Sequence, residues 1–185
     1  MRKEMIDLTP ALLKRHYHDP PKFGRYNASE LWGIVNGYAD PKTWLLGHPV
    51  KPQDALRMWS GRWKHEQVQE LLVGWIREEK RESEYRDIVL VGKVDAMNET
   101  TILEIKTSDA VMTEAKKWAE YQAKIYCSMF ERPKAYVVQP VIKGTKIILK
   151  ELGHVNRNDK WFQNQLSKLY EFHELVCTLK ENPSS

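Results

Sequence analysis

The chain has 185 residues, of which 42% are hydrophobic, and this material suffices for one compact domain with one core but not for a second. Its net charge of +4, from 29 Lys and Arg against 25 Asp and Glu, permits a phosphate-bearing partner without requiring one. Two cysteines, Cys127 and Cys177, exclude a four-thiolate zinc site or an iron–sulfur cluster built by this chain alone.

The cysteines and the hydropathy pattern also predict a compartment. Both cysteines lie on apolar helix faces, so we expect buried free thiols and a reducing environment. No apolar run approaches the roughly 20 residues of a membrane span. The first residues lack the apolar core of a signal peptide. We therefore expect an intracellular, cytoplasmic protein that has no membrane contact.

The first part of the chain is predicted to be irregular, with one short helix. Residues 7–26 are rich in proline and polar residues and predict an N-terminal arm. Asn27 and Glu30 have the spacing of a capping box, which predicts a helix from about 28 to 37. A loop with several prolines follows it.

The next segment, residues 53–79, is predicted to form one long helix, because apolar residues recur there at helical spacing. The charged stretch that follows is expected to end this helix and to lead into a sheet. The recurring apolar residues are Leu56, Trp59, Trp63, Val68, Leu71, Leu72, Trp75 and Ile76.

The second half of the chain alternates predicted strands and helices. The strands cover 88–91 and 93–97 (one bent strand broken at Gly92), 101–106, 135–139 and 146–150, and the helices cover 112–130 and 158–179. This order predicts an α/β fold with a central mixed sheet flanked by helices.

One predicted hairpin gathers the residues that carry chemistry. Side chains alternate along a strand, so Glu104 and Lys106 share one face. A four-residue loop over 98–101 places Asp95 opposite Glu104 on that same face. Two carboxylates and a lysine therefore converge. A surface hairpin that carries a Glu–Lys ion pair is the alternative interpretation.

This set of groups suits phosphodiester hydrolysis. Two carboxylates bind a hard cation such as Mg²⁺ or Mn²⁺, which polarises a phosphate and lowers the pKa of a bound water. A lysine beside them orients that water and stabilises charge on the phosphate oxygens. Asp95, Glu104 and Lys106 are thus candidate catalytic residues, and the Ile105 carbonyl is a candidate further ligand.

Two helices supply further candidates. His65 shares an apolar stripe with Val68, and a neutral imidazole is a good metal ligand, although a core histidine is the alternative. Gln122 and Tyr126 are four residues apart on the inner face of a predicted helix. A buried Gln needs partners; a catalytic cleft would supply them, and a core tyrosine beside an amide is the alternative.

Together these residues resemble the motifs of the PD-(D/E)XK nuclease superfamily, and within it the RecB-like nucleases. The matching pieces, spread over about residues 29–126, are Gly61-x-x-x-His65, Gly92-x-x-Asp95, Glu104-x-Lys106 and Gln122-x-x-x-Tyr126. The resemblance implies a single nuclease domain with a restriction-endonuclease-like core. That domain divides into an arm (1–26), a catalytic core (27–152) and a C-terminal helix (153–185).

The resemblance also implies roles for residues at matching positions. The implied metal ligands are His65, Asp95, Glu104 and the carbonyl of Ile105, the implied catalytic lysine is Lys106, and the implied strand contacts are Gln122 and Tyr126. The implied cofactor is Mg²⁺ or Mn²⁺.

Two relatives within this superfamily refine the expectation. CRISPR-associated adaptation nucleases carry four cysteines for an iron–sulfur cluster, so this chain resembles a cluster-free relative. The stretch from Ala28-Ser29-Glu30 to Gly61 resembles YqaJ-type phage exonucleases. Those enzymes place a glutamate near the position of His65, which makes Glu66 an alternative ligand. Ser29 is a candidate phosphate contact, with a helix-start role as the alternative.

The expected function is therefore a metal-dependent DNA nuclease that prefers single strands or strand ends. Low sequence specificity is expected, because so small a chain has little material for groove readout. DNA recombination, repair or replication are the expected processes, and a phage or viral origin agrees with the resemblance.

Two alternatives stay open: a non-catalytic nucleic-acid binder, and a nuclease subunit of a homo-oligomer or larger recombination complex. Candidate contacts for a partner or DNA, with core burial as the alternative, are Trp32, Tyr38, Trp44 and Arg57.

Overall fold

The computed structural model of the chain describes residues 22–47, 51–107 and 113–182. Most of the predicted arm over 1–26 lies outside these residues. The helices of the described ranges are α1 (Leu31–Val35), α2 (Pro41–Leu46), α3 (Pro52–Glu70), α4 (Thr113–Met129) and α5 (Asp159–Glu181). The strands are β1 (Arg25–Asn27), β2 (Ile76–Arg77), β3 (Lys80–Tyr85), β4 (Ile88–Lys93), β5 (Ala96–Met97), β6 (Thr101–Ile105), β7 (Lys134–Lys143) and β8 (Lys146–Asn156).

The strands form two sheets, one of five strands in the order β2-β5-β6-β7-β8 and one of three in the order β1-β4-β3. The pairs β6–β7 and β1–β4 are parallel, and the other pairs are antiparallel. The predicted α/β fold, a mixed sheet flanked by helices, is therefore confirmed. None of the helices in the described ranges is both long and apolar enough to cross a membrane.

The core lies where the helices cover the sheets. α4 packs on β6, β7 and β8, while α5 packs on α1, α2 and α4. Small side chains at Ala119 and Ala123 let α4 lie close to the strands, and both are fully buried, as are Leu169 and Val176 of α5. Each large apolar side chain buried here contributes about 1.5–3 kcal/mol. α5 begins at Asn158, whose side chain accepts the backbone N–H of Trp161 and caps the helix.

Gly92 lets α4 approach β4 closely. A Cβ at this position would lie 2.9 Å from Met129 Sδ and 3.1 Å from Tyr126 Cε1. The strand continues through Gly92, so the predicted break there is wrong; β4 and β5 are separated instead at Val94 and Asp95. This glycine marks a close approach between elements rather than the end of a strand.

The predicted helix over 53–79 is too long, because α3 ends at Glu70. Gly74 takes a φ of 80° in the turn that follows, a conformation that glycine adopts without strain. The charged stretch beyond it forms strand β3, whose residues alternate between exposed and half-buried. Trp59 and Trp63 of the predicted apolar stripe are 52% and 56% exposed.

The helix predicted over 28–37 is shorter in the structure, where α1 covers Leu31–Val35. Half of the predicted capping box forms: the Glu30 carboxylate accepts the backbone N–H and the side-chain amide of Asn27 at 3.2 and 3.1 Å. The later helices and strands lie close to their predicted bounds, although β7 and β8 are longer than expected.

Both cysteines are free, as predicted. Cys127 is buried in α4, whereas Cys177 is only half-buried, so the prediction of two buried thiols is wrong for Cys177. Cys177 lies near the end of α5, where its Sγ is 3.4 Å from His173 Nε2.

Candidate active site

Three carboxylates lie in one row across neighbouring strands. The antiparallel registers of β2–β5 and β5–β6, continued by one residue, place Asp95 beside both Glu78 and Glu104. The backbone N–H of Glu78 donates to the Asp95 carbonyl at 3.3 Å, in agreement with this alignment. Met97 pairs with Ile102, as the four-residue loop predicts. Residues directly opposite one another share a face of the sheet, so the three acids converge there.

The imidazole of His65 reaches this row from helix α3. Its Nε2 lies 2.9 Å from Asp95 Oδ2, and the two side chains are 19% and 15% exposed. The same carboxylate oxygen accepts the backbone N–H of Ile105 at 2.6 Å. Burial lowers the pKa of His65, but the hydrogen bond to Asp95 and the nearby carboxylate charges raise it by more. The imidazole therefore lies in a negative environment.

Glu104 and Lys106 form a partly buried ion pair. Lys106 Nζ donates to Glu104 Oε1 at 2.7 Å, and the two side chains are 21% and 4% exposed. Burial and the charge of Asp95 raise the pKa of Glu104 to about 7, against the opposing effect of Lys106. Burial lowers the pKa of Lys106, but Glu104 raises it by more, so the ammonium stays charged.

The donor atoms around these residues fit a divalent cation. One ligand atom from each of His65, Glu78 and Asp95 lies within 4.8 Å of the other two. Glu104 Oε2 is buried and has no hydrogen-bond partner among the described residues. An unsatisfied buried carboxylate oxygen is costly, and a cation would satisfy it. Carboxylate oxygens suit Mg²⁺ and Mn²⁺, and an imidazole nitrogen suits transition metals.

Glu78 is a member of this group that sequence reasoning missed. Gln69 Nε2 donates to Glu78 Oε1 at 2.8 Å and to the Asp95 carbonyl at 2.7 Å, and Lys93 donates to the other carboxylate oxygen of Glu78. Burial raises the pKa of Glu78, but the hydrogen bonds from Lys93 and Gln69 lower it by more. Within its charged run nothing distinguishes Glu78 from its neighbours, since its position depends on the pairing of β2 with β5.

Gln122 and Tyr126 lie on the inner face of α4, where they are 8% and 3% exposed. Gln122 Nε2 donates to Tyr126 Oη at 2.7 Å, so the buried amide finds a partner within its own helix. Burial and the charge of Glu104 raise the pKa of Tyr126, which indicates that the phenol lies near the carboxylate row. Their contact with a nucleic-acid strand stays a prediction.

Other residues of the predicted motifs lie around this site. The Gly61 carbonyl accepts Thr107 Oγ1 at 3.3 Å, which joins α3 to the end of β6. A Cβ at Gly61 would lie 3.9 Å from that oxygen, so this contact does not require a glycine. Glu66, the alternative ligand, is exposed and is not part of the His65-centred group of ligand atoms.

Trp118 connects the start of α1 with the lysine. Its Nε1 donates to the Ser29 carbonyl at 3.2 Å, and Lys106 Nζ lies 5.0 Å from the centroid of its ring. Ser29 is exposed, and α1 begins after Glu30 without a side-chain cap. The alternative helix-capping role of Ser29 is therefore not observed, and its phosphate contact stays a prediction.

The four candidate surface residues divide into two groups. Tyr38 is 76% exposed, and the Arg57 side chain is 81% exposed beside Asp54. Trp32 and Trp44 are half-buried. The first pair is available to a partner, and the second pair contributes to packing as well.

Several solved structures with a similar fold are of proteins described as exonucleases. An alkaline exonuclease from Laribacter hongkongensis has a TM-score of 0.54 and 13% identity over 95% of this chain and 98% of its own. The complex of this exonuclease with dAMP has a TM-score of 0.55 and 14% identity, over 88% of this chain and 94% of its own. A phage-related exonuclease from Haemophilus somnus 129PT has a TM-score of 0.59 and 14% identity, over 86% of this chain and 96% of its own. No family model matches the sequence, and no curated protein is similar to it in sequence.

At these identities the likeness establishes the fold alone. The chain has the α/β fold of these exonucleases, in agreement with the restriction-endonuclease-like core that the PD-(D/E)XK resemblance implies.

Proposed function

We propose that this protein is a metal-dependent DNA nuclease whose chemistry takes place at Asp95, Glu104 and Lys106. The observation that carries the proposal is the state of Glu104. Its side chain is 4% exposed and paired with Lys106, and its second oxygen lacks a donor among the described residues. A surface hairpin would leave such an ion pair in solvent, and neither the carboxylate nor the ammonium would then incur a desolvation cost.

The residues that hold the cation are His65, Asp95 and Glu104, with the Ile105 carbonyl as a further ligand. Their oxygen and nitrogen donors favour Mg²⁺ or Mn²⁺. When bound, such an ion polarises the scissile phosphate and lowers the pKa of a nearby water. Glu78 extends the carboxylate row on the other side of Asp95 and is the remaining candidate ligand.

Lys106 stabilises negative charge on the phosphate oxygens and orients the attacking water. Its ammonium stays protonated because Glu104 lies 2.7 Å away, so it is a permanent positive charge at the site. A charge fixed in place and partly shielded from water stabilises a developing charge more strongly than a solvated one. Gln122 and Tyr126 line the inner wall of the site and contact the strand.

The substrate that we propose is DNA with a single-stranded segment or a free end. Two proteins that share the fold are described as exonucleases, which supports an end-directed activity of low sequence specificity. DNA recombination, repair or replication would use such an activity, and similarity to a phage-related exonuclease supports a phage or viral source.

Cleavage of end-labelled DNA tests the proposal. Linear and circular DNA, single- and double-stranded, would be incubated with Mg²⁺, Mn²⁺ or EDTA. We expect mononucleotides from linear DNA with either metal, and no cleavage in EDTA or by Asp95→Ala. The matched control is Asp54→Ala, at an exposed position of α3. A wild-type protein that binds DNA without cutting it in any metal would instead be the non-catalytic binder.

A further inference from the structure

An open pocket of about 400 Å³ is lined by Trp118, and four of its nine lining residues are aromatic. Tyr38 stands at the pocket with 76% of its side chain exposed, and Trp118 is 37% exposed. Trp32 and Trp44 are fixed in position by other rings, since Trp32 packs edge-on against Tyr121 and Trp44 stacks on Tyr26. The residues that define this aromatic pocket are Ser29, Glu30, Trp32, Tyr38, Trp44 and Trp118.

The aromatic pocket adjoins the candidate active site through Trp118. One contact of this ring is the Lys106 ammonium, 5.0 Å from its centroid. Another is the Ser29 carbonyl, which accepts Nε1 at 3.2 Å and fixes the orientation of the indole. Lys106 in turn lies 2.7 Å from Glu104. A nucleotide whose phosphate lies at Lys106 therefore has the pocket within reach of its own base or the adjacent one.

The lining of the aromatic pocket selects a flat, uncharged ligand. Aromatic faces favour stacking, and Glu30, whose carboxylate is already held by Asn27, repels a phosphate. A single carboxylate is too few for a metal site. The Ser29 hydroxyl and the Glu30 carboxylate supply hydrogen-bonding groups at one edge. The volume is typical of small-ligand sites and admits a base together with its sugar.

We propose that the aromatic pocket binds an unpaired nucleobase of the DNA strand that is cut. This inference rests on the proposed nuclease function and specifies its substrate. A base inside a duplex is stacked on both faces and paired along its edge, so it cannot enter. Every base presents a π-face, so stacking discriminates little between sequences. The preferred substrate therefore carries an unpaired nucleotide next to the scissile phosphate.

Binding of a short fluorescein-labelled single strand, followed by anisotropy in EDTA and in Ca²⁺, tests the pocket without requiring cleavage. Tyr38→Ala removes a side chain that is 76% exposed, so it leaves the fold intact. Trp32→Ala removes a wall of the pocket. Loss of one base–aromatic stack costs about 1–3 kcal/mol, which corresponds to a Kd about 5- to 150-fold higher. Trp59→Ala, on the exposed side of α3 (52% exposed), is the matched control and should leave the Kd unchanged.

An abasic nucleotide placed at each position in turn identifies the bound base. When the abasic nucleotide is at one particular position, we expect the Kd of the wild type to rise. At that position the Kd of the wild type and the Kd of Tyr38→Ala should become equal. An unchanged Kd in both pocket variants, or equal effects of abasic nucleotides at all positions, would overturn the inference. Failure of the wild type to bind in EDTA and in Ca²⁺ would overturn it too. Normal cleavage by variants with unchanged binding would reject the pocket and leave the nuclease intact.

Discussion

His65 Nε2 lies 2.9 Å from Asp95 Oδ2, so a side chain from helix α3 contacts the carboxylate row at Asp95, which follows strand β4. The exposed side of the same helix presents Leu56, Trp59 and Trp63 to solvent. His65 therefore contacts charged groups rather than the apolar core, which supports a ligand role over that of a core histidine.

Replacement of His65 by Ala is expected to weaken Mn²⁺ binding. Loss of an outer-shell partner alone typically costs about 10- to 100-fold in metal affinity, so loss of a ligand should cost at least as much. Isothermal titration calorimetry with Mn²⁺ measures the change. The control is Glu66→Ala, next in the chain but exposed, which should bind like the wild type. The reverse result, with Glu66 essential and His65 dispensable, would assign the ligand to Glu66.

The stability of the metal-free protein should depend on pH through Glu104. Burial and the charge of Asp95 raise its pKa from an ordinary 4.5 to about 7. A raised pKa means that the stabilising contribution is complete below the unfolded-state value and is lost as pH rises through the folded-state value. The Tm should therefore fall between about pH 5 and pH 8.

Differential scanning fluorimetry at several pH values measures this effect. Glu104→Gln cannot ionise, so its Tm should vary less with pH over the same range. Added Mn²⁺ should raise the wild-type Tm more at pH 8 than at pH 5, because the ion binds the deprotonated carboxylate. An identical pH profile in the wild type and Glu104→Gln would show that Glu104 does not titrate in this window.

Substitution of Gly92 by Ala should destabilise the fold. The new Cβ would lie 2.9 Å from Met129 Sδ and 3.1 Å from Tyr126 Cε1, so α4 must move or repack. Overpacking of this kind typically costs about 1–3 kcal/mol. Gly33→Ala, in α1 with no atom within 4 Å of its new Cβ, is the control and should be neutral or slightly stabilising. Urea denaturation of both variants checks the prediction, and a Gly92→Ala protein as stable as the wild type would refute it.

The two thiols should differ in reactivity. Cys127 is fully buried, and burial raises its pKa to about 12, so little thiolate exists or is accessible at pH 8. Cys177 is half-buried and should react first with iodoacetamide in the native protein. Mass spectrometry of peptides over a time course measures both rates. Equal rates in the native protein would contradict the buried position of Cys127.

The spacing of apolar residues in the sequence is sufficient to predict the helices whose apolar faces pack on the core. The helices α4 and α5 follow the predicted pattern because Ala119, Leu169 and their neighbours are buried at helical spacing. The same rule failed in the segment after α3. There apolar residues continue at helical spacing, but Gly74 turns the chain with a φ of 80°. The strand that follows, β3, is built from charged residues, and no apolar alternation marks it.

In the candidate site, some residues are placed by a single hairpin and others by contacts between elements that are distant in sequence. Asp95, Glu104 and Lys106 were placed on one face by the register of a single hairpin, which sequence can supply. Glu78 could not be found this way, because it reaches Asp95 only through the pairing of β2 with β5 and a bridge from Gln69. The aromatic pocket likewise depends on α1 and α4 meeting in space, which no local pattern encodes.

The single-turnover rate of DNA cleavage by Lys106→Ala, with DNA binding measured alongside, tests the proposed active site. Removal of one fixed charge that stabilises the transition state typically costs about 10²–10³ in rate. We expect a loss of that size with Mg²⁺ or Mn²⁺ and little change in the Kd for DNA. Lys146→Ala, exposed in β8, should cut like the wild type. Cleavage by Lys106→Ala at the wild-type rate would contradict the proposed active site.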